Sequence, residues 1–464
     1  MRVDPGVKQW TGFVALFVVA CGGGGNSGDV RAPDAMGGMA NSDASTGGTT
    51  GSTGGHTATG GKSSSTGGQA SGGTASNTGG SSAGTGGGQA TDGGTGLGAT
   101  CKNAPPVCLK NTKLPAKAPA LSLGTFTNIS PAVVPFNLPN VFTQALATDG
   151  CDVSTLYLTI DGFDTVAAKA GLYKSTDAGA TWRQVSQLDE PIQVVVDPAN
   201  SQHIYAVDGV RGNTEGFWTS CDGGESFYQT DAFKNLGTTQ SLFQYDTYDI
   251  AVDPKDFNHV LLSFHGSWGW TDTKWNTNSG VLETPDGGDT WVVHVPTNGW
   301  GTGHAINFLY NPKLGLGDAK TWLLGTQGDG MWRTTDAGTT WTKVTDSNIQ
   351  HGGGDTYYDH TGHLYASTAS GIIMSTDNGV TWSSLTLPVN GGFNTVFGDG
   401  VSVYAAPDFS NSYYYTSPEG DGTTWTQYNQ QAFGSGPFKV GFDPVNNILY
   451  SANWTVGMWA LKVR

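Results

Sequence analysis

One eight-residue pattern constrains the fold of this chain more than any other feature. It stands first as Ser175-Thr176-Asp177-Ala178-Gly179-Ala180-Thr181-Trp182, then as Ser220-Cys221-Asp222-Gly223-Gly224-Glu225-Ser226-Phe227 and Thr284-Pro285-Asp286-Gly287-Gly288-Asp289-Thr290-Trp291. Further copies run from Thr334 to Trp341 and from Ser375 to Trp382. A degenerate one, Ser417 to Trp425, has one residue inserted and Glu419 for the Asp. Each residue type has a task in such a turn. The Asp carboxylate accepts hydrogen bonds from backbone N–H groups that the bend leaves unpaired, and the Ser/Thr hydroxyls tie down neighbouring backbone. Gly takes a positive φ without steric cost. The closing Trp or Phe buries a large aromatic surface between sheets. Copies roughly forty to sixty residues apart mark one supersecondary unit repeated, the signature of a propeller or array.

The repeat can be phased. Each unit opens with an apolar strand ending in Asp-Pro or an equivalent, as in Val194-Val195-Val196-Asp197-Pro198, Ile250-Ala251-Val252-Asp253-Pro254, Phe308-Leu309-Tyr310-Asn311-Pro312 and Val440-Gly441-Phe442-Asp443-Pro444. Short unbroken apolar runs fit strands buried on both faces. A second strand follows, such as His203-Ile204-Tyr205-Ala206-Val207, then a Gly-led third, then the turn and a fourth. Four strands per unit make a propeller blade. Blades fall near 136–188, 191–230, 248–295, 303–345, 353–386, 394–428 and 437–464. The last stops at Arg464 before any turn or fourth strand, and Leu123-Gly124-Thr125-Phe126-Thr127-Asn128-Ile129 has the character of the strand it lacks. The expectation is an all-β fold, a single seven-bladed β-propeller closed by an N-terminal strand.

The Ser/Thr-x-Asp-x-Gly-x-Thr-Trp pattern resembles the Asp-box (BNR) repeat of the sialidase-like β-propeller superfamily, over about Gly124 to Arg464. That group includes sialidases, xyloglucan-cleaving glycosidases, sorting receptors and photosystem assembly factors. The resemblance implies the fold. It says little about activity, because the family's boxes lie on the blade periphery, and function has to be argued from the site.

The N-terminus reads as an export signal. Arg2 and Lys8 precede the apolar run Phe13-Val14-Ala15-Leu16-Phe17-Val18-Val19-Ala20, which is too short to span a bilayer. Val18-Val19-Ala20-Cys21 resembles a bacterial lipobox, so residues 1–20 are read as a lipoprotein signal peptide and Cys21 as the lipidated first residue. Gly22 after it, rather than Asp, favours the outer membrane by analogy with bacterial sorting. Residues 21–100 are almost wholly Gly, Ser, Thr, Ala and Asn, which bury too little apolar surface to offset ordering entropy. They are read as a disordered tether of about 50 Å mean span, followed by a disulfide-bearing lead-in over 101–123 and the propeller over 124–464.

Cys101, Cys108, Cys151 and Cys221 remain once Cys21 is set aside, an even number in an exported chain, which argues for two disulfides. Of the three connectivities, Cys101–Cys108 with Cys151–Cys221 is preferred, closing a small loop at the end of the tether and stapling the first blade to the second. No CxxC spacing supports a metal site, and no cofactor is implied. A formal net charge of −16 disfavours nucleic acid and anionic membrane as partners. Contact with the membrane is expected only through the lipid, and the domain is expected to be a monomer. With 13% charged residues against 15 Trp and 16 Tyr, the composition suits an all-β domain with glycan-facing surfaces.

Candidate chemistry lies on the inner strands. Counting back four residues from the Asp-Pro turns gives a column of Gln193, Asp249, Asn307, Asp355, Thr395 and Lys439, with Ala145 in the first blade. Such side chains either solvate the central channel or form the floor of a polar cup, with Asp249 and Asp355 as a catalytic carboxylate pair. The loop Phe264-His265-Gly266-Ser267-Trp268-Gly269-Trp270-Thr271-Asp272-Thr273-Lys274-Trp275 is long and aromatic, and long connections are more often functional. Trp300 and His304 precede the fourth blade and His351 the fifth. Trp platforms beside carboxylates suit a sugar, with its apolar C–H face and polar rim. Trp268, Trp270, Trp275, Trp300, His265, His304 and His351 are therefore candidate substrate contacts, with Asn307, Lys439 and Gln193. Three histidines on neighbouring loops also raise a metal, but without recognisable ligand spacing. Asp249, beside the aromatic loop, is the candidate acid.

Sialidases of the superfamily grip their substrate with three arginines and carry an Arg-Ile-Pro sequence. Beyond the tether only Arg183, Arg211, Arg333 and Arg464 occur, and Arg-Ile-Pro does not. Sialidase activity is therefore not expected. The xyloglucan-cleaving relatives use acidic pairs between two tandem propellers, whereas one propeller is legible here. Two readings remain: a cell-surface glycosidase-like enzyme acting on an extracellular polysaccharide, and a non-catalytic propeller that binds glycan or protein.

Overall fold

The computed structural model describes Cys101 and residues 105–464, apart from 137, 139–140, 162–168, 187, 210–213, 237–241, 244–245, 266–268, 271–278, 296–299, 301–302, 409–412, 429–434 and 437. The stretches read above as signal sequence and tether, with Cys21, and Arg211, Trp268 and Trp275 lie outside the described residues.

Among the described residues, seven sheets of three or four antiparallel strands surround one axis. Blade 1 is Phe142–Asp149, Asp152–Asp161, Gly171–Ser175 and Arg183–Ser186. Blade 2 has three strands, Pro191–Asp197, Asn200–Asp208 and Gly216–Ser220. Its fourth is reduced to a single Thr219–Tyr228 bridge and a helical turn, Asp231–Lys234, capped by Thr230. Phe233 of that turn packs on Phe217 and Trp291, filling the space a fourth strand would cover. Blades 3 and 4 begin with Thr247–Asp253 and Gly303–Phe308, blades 5 and 6 with Thr356–Tyr358 and Phe393–Gly398, each followed by three more strands. Blade 7 comprises Lys439–Asp443, Ile448–Asn453 and Gly457–Lys462. Phe126–Asn128 pairs with the last of these, Phe126 opposite Leu461, and closes the ring as the sequence suggests. Trp182 fastens the seam by donating its indole N–H to the Ile129 carbonyl at 2.7 Å.

The fold has no single core. Apolar side chains collect at the seams, one cluster between each pair of neighbouring blades, as where Tyr205, Phe217, Ile250, Leu262 and Trp291 join blades 2 and 3. Burying an aromatic of Trp size contributes about 4 kcal/mol or more at ~25 cal/mol/Å². The aromatic that ends each repeated turn sits in the seam with the preceding blade, as Trp291 of blade 3 does against blade 2 and Trp341 of blade 4 against blade 3.

The turns are built as their residues dictate. Asp177 accepts the Ser175 hydroxyl and the Thr181 N–H on Oδ1, both at 2.8 Å, and the Thr181 hydroxyl on Oδ2, while the Gly179 N–H donates to Ser175 Oγ. Asp222, Asp286, Asp336 and Asp377 repeat the arrangement. The Thr381 hydroxyl and N–H hold the Asp377 carboxyl down at about 2. The residue after the Asp adopts a left-handed conformation even where it is not Gly, as at Ala178 (φ 56°) and Asn378 (φ 58°). The sixth turn departs from expectation. Glu419 does not replace the Asp; its carboxylate accepts the Tyr357 hydroxyl and the Gly400 N–H and pairs with His360. Asp421, two residues on, takes the turn's role by accepting from Thr423.

The disulfide pairing preferred from sequence is not the one formed. Cys101 joins Cys221 and Cys108 joins Cys151. The physical reason is the path of the lead-in, which does not curl on itself but runs along the turns of blades 2 and 1. The Val107 N–H donates to Asn200 Oδ1 at 2.9 Å, and the Ser201 N–H to the Val107 carbonyl at 2.8 Å. The Asn111 N–H donates to the Cys151 carbonyl at 2.9 Å. That track carries each lead-in cysteine to a different blade. The bridges close loops of 120 and 43 residues, which in the chain-entropy limit stabilises the fold by about 4–5 kcal/mol each.

Candidate functional site

Inner strands of the blades break register near their starts. The breaks fall between Thr143 and Leu146, Pro191 and Gln193, Thr247 and Asp249, Gly303 and Ala305, and Phe393 and Thr395. A bulge of this kind re-aims side chains at a strand end. The residues at or just past the breaks line up as one layer: Ala145 within the first break, then Gln193, Asp249, Ala305 and Thr395, joined by Asp355 and Lys439. Asn307 does not belong to it. The turn after this strand is longer, with a bridge from Asn311 to Leu316, so counting back four residues from Asn311 falls two short of Ala305. Asn307 instead stitches blades 4 and 5, its amide donating to the Gly354 carbonyl and its oxygen accepting from Thr356.

This layer is buried, not a rim of free polar groups. Gln193, Asp355 and Lys439 are 1% exposed and Asp249 and Thr395 fully buried. Lys439 Nζ lies 2.5 Å from Asp355 Oδ1, which shows that side chains of blades 5 and 7 meet in this layer. Lys439 is therefore committed to Asp355. Asp249 Oδ2 accepts the Ile306 N–H at 2.7 Å. Burial pushes the Asp249 carboxyl well above its ordinary range; the Ile306 N–H and Lys439 oppose this, and the Asp355 charge adds to it.

Around Tyr248, the residue before Asp249, the structure brings together the three candidate histidines. The rings of His265, His304 and His351 lie 5.0–5.5 Å apart, and Tyr248 contacts all three at 4.9–5.9 Å. Tyr248 and His304 are the bulged residues of their strands. His304 donates its Nε2–H to the His265 carbonyl at 2.7 Å, which fixes its tautomer and leaves Nδ1 as an acceptor with no hydrogen-bond partner among the described residues. Burial, then the neighbouring His265, hold its ring down at about 4, so it is neutral at physiological pH. His265 is the ring of the group that solvent reaches, 36% exposed, with its Nδ1 2.9 Å from Asp246. Among the described residues no group of three His, Cys, Asp or Glu is arranged to hold a metal.

Of the aromatic loop over 264–275, residues 266–268 and 271–275 lie outside the described residues. Gly269–Trp270 pairs with Leu242–Phe243 as a two-stranded ribbon. Trp300 is not a platform. It is 1% exposed, donates its indole N–H to the Ser279 carbonyl, and packs on Trp332 and Trp341 in the seam of blades 3 and 4. Sequence reasoning missed Tyr248 and Asp246. The signal for Tyr248 was an aromatic set between the polar residues Thr247 and Asp249 at a strand start. Of the arginines, Arg183 pairs with Glu225, Arg464 with Asp399, and Arg333 donates to the Asn378 carbonyl.

No protein-family model matches the chain. It is 27% identical over 287 residues to a xyloglucanase of Hypocrea jecorina, covering 52% of this chain and 32% of that protein. It is 26% identical over 291 residues to a xyloglucanase of a Paenibacillus species, covering 52% of this chain and 26% of the relative. The chain thus spans about a third or less of the length of these relatives. Among solved structures, a GH74 xyloglucanase from Xanthomonas campestris superposes with a TM-score of 0.52 at 17% identity, covering 73% of this chain and 53% of that one. An ancestral GH74 enzyme superposes with a TM-score of 0.50 at 17% identity, over 70% of this chain and 45% of that one. At such identities the superpositions establish the fold alone: the chain is a seven-bladed propeller of the architecture found in xyloglucanases.

Proposed function

We propose that this protein is a carbohydrate-active, glycoside-hydrolase-like propeller that acts on an extracellular polysaccharide at the face where the inner strands begin. The observation that carries the reading is the Tyr248–His265–His304–His351 group, whose Tyr248 precedes Asp249 on the same inner strand. Flat rings next to donors, acceptors and a carboxyl are what a sugar's apolar face and hydroxyl rim require. The similarity to two xyloglucanases points to the same substrate class. In this reading Asp249 is the acid, Asp355 the base, and Trp268, Trp270 and Trp275 extend the surface along the chain of sugars. The protein is held at the cell surface by lipid on Cys21 and by the Gly/Ser/Thr-rich tether, works as a monomer, and needs no cofactor.

One observation favours a second reading, a propeller that binds glycan without cleaving it. Asp355 is ion-paired with Lys439, and neither carboxylate of the pair is exposed. Retention in native gels cast with neutral polysaccharides tests the part common to both readings. Retarded migration in xyloglucan or another neutral glycan, lost in Trp270→Ala, supports it. Unretarded migration across the whole panel rejects both.

A further inference from the structure

A buried layer with two carboxyls and one ammonium cannot ionise every group without leaving one negative charge unneutralised. In this propeller the two acids are not equivalent. Asp355 is in direct contact with Lys439. Asp249 has no cation in direct contact: its Oδ2 accepts the Ile306 N–H, the backbone N–H of Ile250 adds a weaker contribution, and its Oδ1 has no hydrogen-bond partner among the described residues. Nothing else in the layer is cationic: Gln193 and Thr395 are neutral, and Ala145 and Ala305 carry no polar side chain. Of the rings grouped around Tyr248, His304 is neutral, His265 faces Asp246, and His351 packs on Tyr248 and His265. Burial draws the Lys439 ammonium down from its ordinary range; Asp355 first, then Asp249, counter it.

We propose that Lys439 is the positioning residue that makes the two carboxyls unequal, holding Asp355 as the carboxylate and leaving Asp249 as a buried carboxylic acid. The catalytic meaning of this division rests on the glycosidase reading; the protonation pattern itself does not. In a single-displacement hydrolysis, the Asp249 O–H proton passes to the departing glycosidic oxygen as the C–O bond breaks. The attacking water forms the new C–O bond and gives its proton to the Asp355 carboxylate, so atoms and charge balance. Lys439 touches neither reacting centre. It fixes which acid starts the cycle with the proton.

Infrared spectroscopy of the full chain, labelled with ¹³C-aspartate, tests this at neutral pH. The wild type should show a protonated-aspartate band that is missing from Asp249→Asn. Lys439→Met should gain one further band, because Asp355 then takes up a proton, and Lys439→Arg should restore the wild-type pattern. Asp208, another carboxyl that burial pushes up, supplies a band that none of these changes should move. A spectrum unaltered by Asp249→Asn overturns the proposal, as does a folded Lys439→Met without the extra band. Should Lys439→Met fail to fold, the wild type against Asp249→Asn still decides. Turnover of no polysaccharide would reject the glycosidase reading and leave these bands as predicted; turnover without the bands would reject the role of Lys439.

Discussion

Replacing His259 with Gln perturbs a buried bridge at the end of blade 3 opposite the candidate site. His259 Nδ1 lies 3.1 Å from Asp253 Oδ2 and its Nε2 2.9 Å from Glu283 Oε1, with its side chain 14% exposed and the Phe308 ring against its edge. Burial alone would lower its pKa, but bonds to Asp253 and Glu283 outweigh that and raise it from 6.5 to about 9. At ~1.4 kcal/mol per unit, the shift corresponds to about 3 kcal/mol. Glu283, lowered from 4.5 to about 2 in part by the same contact, reports that energy from the other side and adds no second increment for it. Because the folded state holds the His259 proton more tightly than the unfolded chain, the contribution is complete below pH 6.5 and is lost as pH rises through about 9. Thermal unfolding of wild type and His259→Gln should therefore differ by about 5 °C near pH 6, at roughly 2 °C per kcal/mol for a large domain, and converge near pH 10. A difference that stays constant from pH 6 to 10, or grows with pH, would refute the reasoning.

Other outcomes follow from the same structure. Deleting residues 121–129 removes the strand that closes blade 7 and should leave an exposed sheet edge, read as aggregation or a lowered melting temperature; an unchanged melting curve in a monomeric variant would contradict the closure. Non-reducing peptide mapping should find Cys101 linked to Cys221 and Cys108 to Cys151. Cys21→Ser should abolish lipid labelling and release the protein into soluble fractions, and a variant that stays membrane-bound while the wild type takes up no label would rule out the anchor.

What was legible in the sequence was what local chemistry determines. The Asp, Gly and Thr of each turn act within a few residues, so the turn, the blade and the blade number could be read directly. The closing strand was legible because blade 7 visibly lacks its fourth. Non-local features were not. The disulfide pairing depends on the track of residues 105–113 across two blades, which no spacing of cysteines reveals. Asn307 was misplaced because one turn is two residues longer than its equivalents, and a periodic count carries that error inward. Trp300 reads like a platform residue in sequence, yet the seam it fills is defined by Trp332 and Trp341 from elsewhere in its blade. Glu419 was taken for a substitute because it occupies the aligned position, whereas Asp421 makes the bonds. Asp249 and Asp355 stand four residues before their turns and can be set in one column from sequence; that Lys439 pairs with one of them required the layer's geometry.

Turnover is the most direct test of the proposed function. Purified full chain would be incubated with xyloglucan and other neutral polysaccharides, and new reducing ends measured beside Asp249→Asn. The account predicts release by the wild type, abolished in Asp249→Asn while retention on the same polysaccharide persists. Undiminished release by Asp249→Asn, or no release by the wild type from any polysaccharide that retains it, would contradict it.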